Sequence, residues 1–254
     1  GFAGLRCPLC GSSHSDGSLD GATRLSRRMG EGDEEPGFIR LEFEELPADE
    51  MLSRARAFYE QMDQRRTTRH FSDREVPREL IELAVRTAST APSGAHLQPW
   101  TFVAISNPGL KRRIRDAAEA EEKKFYEERM PEAWEEVLTP LGTDYVKDHI
   151  TDAPWIVVLF RHSQRMREEE DMSPTYYSQE SCGIAAGLFI AAVHNTGLTT
   201  LTHTPSPMGF LRDILGRPFH EHAMLLMPVG YPAENAKVPD LKRKGLDEVS
   251  EFFE

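Results

Sequence analysis

Thr90-Ala91-Pro92-Ser93-Gly94-Ala95-His96-Leu97-Gln98-Pro99-Trp100 separates a run of helical periodicity from a short apolar run of strand length. Two prolines, a serine and a glycine make it an ordered turn rather than part of either neighbour. Ser93 offers a hydroxyl, and Gly94, lacking a Cβ, lets the backbone come close to a flat ligand. Upstream, Arg65-Arg66-Thr67-Thr68-Arg69 sets three guanidiniums among hydroxyls. Arginine binds oxyanions through a planar fork of donors, so this cluster suits a phosphate.

Outward from that turn the elements alternate. Met51, Leu52, Ala55, Phe58, Tyr59 and Met62 recur at helical spacing, with Asp49 as a capping candidate. Pro77 suits a helix start, and Leu80, Ile81, Ala84, Val85 and Ala88 line one face of the helix that follows. Thr101 to Ile105 has strand length, and a charged helix runs from Leu110 to about Arg129, where Met130-Pro131 interrupts it. Trp155 to Phe160 is apolar on both faces and so reads as a central strand. Arg161 to Pro174 reads as a charged loop. Tyr177 to Asn195 is a helix apolar all round, hence buried in a core or a subunit interface, with Gly183 and Gly187 permitting close approach. Leu198 to Thr202 and Ala223 to Gly230 read as strands, with a short helix from Phe210 to Leu215 between them. Helices and single strands interleave without repeats, which gives an α/β or α+β class around a mixed sheet. Residues 1–36 read as a disordered tail closed by Pro36-Gly37, and residues 37–254 as the folded domain. Phe38 to Phe43 alternates as a short extended segment would.

Composition excludes several classes. The net charge of −12 argues against nucleic acid, and Lys242-Arg243-Lys244 is too short a basic run to reverse that. Cys7 and Cys10 form a lone Cys-x-x-Cys with only His14 nearby, short of the four ligands of a zinc site. Cys182 sits in an apolar helix as a packed thiol. His203, His220 and His222 lack convergent partners in the sequence, so no metal is expected. There is no Gly-rich dinucleotide fingerprint after a strand and no Ser-His-Asp arrangement on a sharp turn. No run of 18 apolar residues occurs, so the chain as given reads as soluble.

The order Arg-Arg-Thr-Thr-Arg at 65–69, Ala-Pro-Ser-Gly-Ala-His at 91–96 with Gln98-Pro99-Trp100, and Pro228-Val229-Gly230-Tyr231-Pro232 resembles the flavin-binding nitroreductase superfamily. Within it the likeness is to the deiodinase branch, and it runs from about Phe58 to Asp247. The resemblance implies a nitroreductase-like α+β fold, a domain-swapped homodimer and FMN at the subunit interface. It implies reductive dehalogenation of mono- and diiodotyrosine to tyrosine and iodide, in one-electron steps from reduced flavin. Electrons would come ultimately from NADPH, directly or through a separate reductase. Vertebrate members of the branch carry an N-terminal membrane anchor that is absent here, which leaves membrane and cytoplasmic locations open.

The residues and the resemblance together nominate a site. Arg65, Arg66, Arg69 and Arg243 suit the flavin phosphate, although each alone reads as a surface charge. Thr67, Pro92 and Ser93 are candidate flavin contacts, with Ser93 equally suited to capping its own turn. Alternation puts Thr202 and Thr204 on one side of their strand. The resemblance assigns Thr204 the catalytic role of donating to flavin N5. Glu122 and Tyr126, four apart, share a helix face, and with Lys147 they make a clamp for an amino-acid zwitterion: Glu122 for the ammonium, Lys147 for the carboxylate, Tyr126 alongside. By composition alone Glu119, Glu121, Glu122, Glu127 and Glu128 are an ordinary solvated face. It is the spacing shared with the deiodinase branch, Trp134 included, that singles out the trio. Ala95 matches a position whose backbone meets the substrate phenolate. The rival readings are a general nitroreductase or quinone reductase, which would not use the trio, and a flavin-binding protein without turnover.

Overall fold

The computed structural model describes residues 37–130, 138, 141–166 and 172–254. The tail at 1–36 with Cys7, Cys10 and His14, and the residues Pro131, Trp134 and Val137, lie outside the described residues. The chain divides into two units, Gly1–Pro47 and Ala48–Glu254. In the first, residues 38–47 form no helix or strand, so the expected extended segment has no ladder partner. Its Phe38, Ile39, Leu41 and Phe43 are all exposed.

The second unit holds a four-stranded sheet in the order β1 (Trp100–Ile105), β2 (Trp155–His162), β6 (Glu221–Gly230), β5 (Thr199–Thr200). Its ladders are antiparallel throughout, and the expected mixture of directions is confined to one isolated parallel bridge, Thr67 to Thr200. That bridge docks the arginine-rich segment on the sheet edge. The central place of β2 follows from its sequence. Val157 and Leu159 face one core with Met227 and Val229, packed under α2 (Arg78–Ala88) and α5 (Ser178–Asn195). Ile156, Val158 and Phe160 face a second core with Leu226, packed under α3 (Pro108–Lys124) and α6 (Gly209–Leu215). A strand covered on both faces has no polar side to show, which is why its run is unbroken.

Several boundaries differ from the sequence reading. Asp49 lies inside the first turn of α1 (Ala48–Asp63) instead of capping it. The segment read as a charged loop is a hairpin, β3 (Gln164–Met166) against β4 (Met172–Pro174), which polar side chains such as Arg165 and Ser173 hide from any apolar pattern. The strand expected at Leu198 to Thr202 pairs only at Thr199 and Thr200; beyond them the chain keeps alternating burial without a ladder. The charged helix changes pitch. Its α-helical part ends at Lys124, and Phe125–Arg129 forms one π turn before Met130 becomes extended (ψ 121), as a residue preceding proline must. Such turns recur at functional sites. Among the described residues no helix is long and apolar enough to cross a membrane.

Two helices are incompletely covered by this chain. α1 has no buried residue, and its Met51, Leu52, Phe58 and Tyr59 stand more than half exposed. α5 buries Cys182, Ala185, Phe189 and Val193, but a Cβ at Gly183 or Gly187 would meet nothing within 4 Å, and Ile184 between them is 47% exposed. The close approach those glycines permit is therefore not made among the described residues.

Candidate active site

Four of the predicted phosphate ligands converge. Arg65, Arg66, Arg69 and Arg243 line one cavity of about 340 Å³ with Thr67 and Lys242. The Arg65–Arg69 segment is held by the Thr67 bridge and by Thr68 N–H donating to Thr200 O at 3.4 Å. Arg243 returns from the far end of the chain, donating to Asp63 Oδ1 at 2.9 Å and to Arg65 O at 2.7 Å. Arg66 donates to Pro239 O. Burial, with Arg243 and Arg66 close by, pushes the Arg65 guanidinium below its ordinary range. Among the described residues Arg65 and Arg69 have no carboxylate partner. Guanidiniums crowded together without a counter-anion make a site for an oxyanion. Lys242 and Arg243 of the short basic run thus supply two walls of the cradle.

Arg69 also lines the neighbouring cavity of about 220 Å³, which holds Glu122, Tyr126, Lys147, Thr202 and Thr204. The trio separated by 25 residues in sequence is brought together by the π turn on one side and the segment before α4 (His149–Asp152) on the other. Lys147 Nζ lies 3.3 Å from Glu122 Oε2 and 5.7 Å from the Tyr126 ring centre, and it donates to Asp144 O. Tyr126 Oη donates to Thr143 Oγ1 at 3.2 Å. Thr202 and Thr204 point outward as alternation requires, while Leu201, His203 and Pro205, which alternate with them, are buried. Among the described residues the hydroxyls of Thr202 and Thr204 make no hydrogen bond, so both are free to donate.

Pro92, Ser93 and Ala95 line neither cavity. Ser93 Oγ accepts from Gln98 N–H at 2.9 Å, the turn-capping role, and still keeps its own proton to donate. Ala95, His96 and Gln98 have φ of 47, 56 and 45, left-handed conformations that cost non-glycine residues energy and cluster at functional sites. Gly94 is closely packed: a Cβ there would meet Tyr176 O and Tyr177 Cδ2 at 3.2 Å, so those neighbours would have to give way slightly.

Two buried histidines beside the site escape sequence reasoning. His203, considered in the sequence only as a metal ligand, places Nε2 3.1 Å from Glu122 Oε1, and its Nδ1 lies 3.4 Å from His149 Nε2. Both imidazoles are buried, at 8% and 6% exposed. Burial pushes His149 down to about 3, aided by His203, Lys147, Arg69 and Arg115. Burial also lowers His203 against the pull of Glu122. Burial alone would raise Glu122, but the His203 hydrogen bond and the Lys147 charge hold its carboxyl below the ordinary range. No cluster of three or more metal-binding side chains occurs among the described residues. The signal available in the sequence was the alternation itself: if Thr202 and Thr204 face out, His203 faces in.

Stability should record the buried His149. Unfolded, it takes up its proton near pH 6.5; folded, not until about pH 3. Between those values the unfolded chain holds the extra proton, so stability falls on acidification, by up to about 1.4 kcal/mol per pH unit. Urea midpoints from pH 7 to 4.5 should fall more steeply for the wild type than for His149→Phe; equal slopes would mean that His149 titrates normally in the fold.

Comparison with known proteins places this geometry. The Nitroreductase family model matches residues 62–231, and the chain belongs to that family. It is 52% identical over 211 residues to an iodotyrosine deiodinase of Haliscomenobacter hydrossis, covering 83% of this chain and 95% of that protein. It is 41% identical over 220 residues to iodotyrosine deiodinase 1 of Homo sapiens, covering 86% of this chain and 76% of that one. Among solved structures it superposes on oxidized iodotyrosine deiodinase bound to FMN and 3-iodo-L-tyrosine with a TM-score of 0.67 at 26% identity, covering 77% of this chain and 100% of that one.

Proposed function

We propose that this chain binds FMN and reductively removes iodide from mono- and diiodotyrosine. The observation that carries this reading is the convergence of Glu122, Tyr126 and Lys147 on the cavity that Thr204 and Arg69 also line. The cradle fits FMN through its donor set, with Arg65 and Arg69, which have no carboxylate partner among the described residues, beside Arg243 and suited to a phosphate dianion. Bound and reduced FMN would supply the two electrons, in single steps, that with one proton replace the carbon–iodine bond by carbon–hydrogen and release iodide. This chain's own residues do the rest. Arg65, Arg66, Arg69 and Arg243 hold the phosphate, with Thr67 beside them. Thr202 and Thr204 offer hydroxyls toward the ring, Thr204 tuning its electron transfer. Glu122 takes the substrate ammonium, Lys147 its carboxylate, and Tyr126 lies alongside. Substrate thus separates the Glu122–Lys147 pair and replaces each partner with a charge of the same sign, which keeps both buried groups compensated. NADPH is the ultimate reductant, directly or through a separate reductase.

The functional unit in this reading is a homodimer. It gives the uncovered faces of α1 and α5 a partner, and it gives Pro92, Ser93 and the Ala95 backbone a flavin and phenolate to meet across the interface. A direct test uses Gly187→Leu. Among the described residues nothing beyond the helix's own backbone and the adjacent residues lies within 4 Å of that Cβ, so the fold should tolerate the side chain while the dimer should not. Sedimentation should show monomer with FMN lost; a dimer with full flavin content would place the interface elsewhere.

The test of activity is a fluorescence titration of the flavin-loaded protein with diiodotyrosine, alongside tyrosine and an iodophenol lacking the amino-acid group. Saturable quenching by diiodotyrosine alone supports the zwitterion clamp. Retained flavin and nitroaromatic reduction without quenching would favour a general nitroreductase; flavin without turnover of any substrate would favour a binding protein.

A further inference from the structure

Glu122 is the only member of the clamp with a second buried partner on the side away from Lys147 among the described residues. Its Oε2 faces Lys147 at 3.3 Å, and its Oε1 meets His203 Nε2 at 3.1 Å. A carboxylate only accepts, so His203 must present the proton on Nε2. A neutral imidazole with that proton has a bare Nδ1, which accepts from His149 Nε2–H at 3.4 Å. The two rings stand edge to face, 5.1 Å apart and 82° between planes, so neither can turn without breaking the chain. His149 comes from α4, two residues after Lys147, and His203 from the segment after β5. The line therefore ties Glu122 on α3 to two other elements of the site.

We infer that His203, oriented by His149, is a positioning residue that fixes the Glu122 carboxylate for the substrate ammonium. This rests on the zwitterion clamp proposed above. When substrate draws Lys147 away to its own carboxylate, His203 is the group that keeps Glu122 from swinging. The line costs no charge, because both rings are neutral, and so does not compete with the ammonium for Glu122.

The prediction separates ligands by one functional group. Iodotyrosine has the ammonium; its des-amino analogue, 3-(4-hydroxy-3-iodophenyl)propanoate, keeps the ring, iodine and carboxylate. In flavin-loaded protein, His203→Leu should weaken iodotyrosine binding roughly tenfold, the effect of one hydrogen bond to a charged group, and shift the analogue by less than about twofold. His203→Gln keeps an N–H donor and should restore most of the loss. His149→Leu should show a smaller loss with the same selectivity, and the His149→Leu/His203→Leu pair should be no weaker than His203→Leu, since one acts through the other. Equal losses for both ligands, or none for iodotyrosine, would overturn the positioning role. Should His203→Leu not accumulate as flavin-loaded protein, His149→Leu carries the same ligand comparison. Glu122→Gln decides whether the underlying reading stands. If it leaves iodotyrosine affinity intact, the clamp itself has failed; if it abolishes the preference for the ammonium while His203→Leu does not, only the positioning role has.

Discussion

Replacing Lys147 by alanine is expected to weaken iodotyrosine binding about hundredfold, near 2.7 kcal/mol, while the protein keeps its FMN and reduces nitroaromatics at close to the parent rate. The size follows from burial. Lys147 is 6% exposed and lies 3.3 Å from Glu122, so a carboxylate arriving there meets a cation that water screens poorly. The ligand dependence is the sharper part of the prediction. Iodotyramine, which lacks the carboxylate, should bind the parent weakly and the Lys147→Ala protein no worse. Some stability will also be lost, because truncation removes the charge opposite a buried carboxylate. Here His203 still donates to Glu122, which limits the damage. Isothermal titration of the two ligands into both proteins measures the whole pattern. Parallel loss of flavin, nitroaromatic reduction and iodotyrosine binding would instead make Lys147 a structural residue and remove the clamp from the mechanism.

What sequence reasoning reached, and what it missed, has a physical pattern. β2 was legible because a strand covered on both faces must be continuously apolar, and the two cores on either side of it confirm that logic. Arg65, Arg66 and Arg69 were legible as a cluster in one segment, whereas Arg243, far along the chain, was nominated with the help of the family resemblance; all four line one cavity. The β3–β4 pairing was not legible, since each strand is only three residues long and polar residues such as Gln164, Arg165 and Ser173 break any apolar run. Nor was the π turn, which depends on one extra residue of winding rather than on composition. The histidine line was hidden for a different reason. His149 and His203 are 54 apart in the chain and acquire meaning only when α4 and the segment after β5 meet. A histidine in an alternating segment advertises burial, and nothing in one dimension shows that its buried partner is a carboxylate of the site. The uncovered faces of α1 and α5 lie between these extremes: their apolar character was plain, but which surface covers them is not a property of a single chain.

Arg65→Ala is expected to strip the protein of FMN, raising its dissociation constant about hundredfold, through loss of a forked charge-assisted contact to phosphate. The distinctive feature is a crossing of stabilities. Without FMN, Arg65 is crowded by Arg243 and Arg66, and its guanidinium is pushed below its ordinary range by burial and by those neighbours. Alanine relieves that repulsion, so the apo variant should melt no lower than the apo parent. With FMN at a hundred times the parent's dissociation constant, the parent gains about 2.7 kcal/mol from binding and the variant only about 0.4 kcal/mol. Melting curves with and without FMN should therefore cross. Riboflavin, which has no phosphate, should bind parent and variant alike, and inorganic phosphate should raise the melting temperature of the apo parent more than that of the apo variant. A variant that is destabilised equally with and without FMN would mean that Arg65 serves the fold through Thr67 and the sheet edge. The cradle would then rest on Arg66, Arg69 and Arg243 alone.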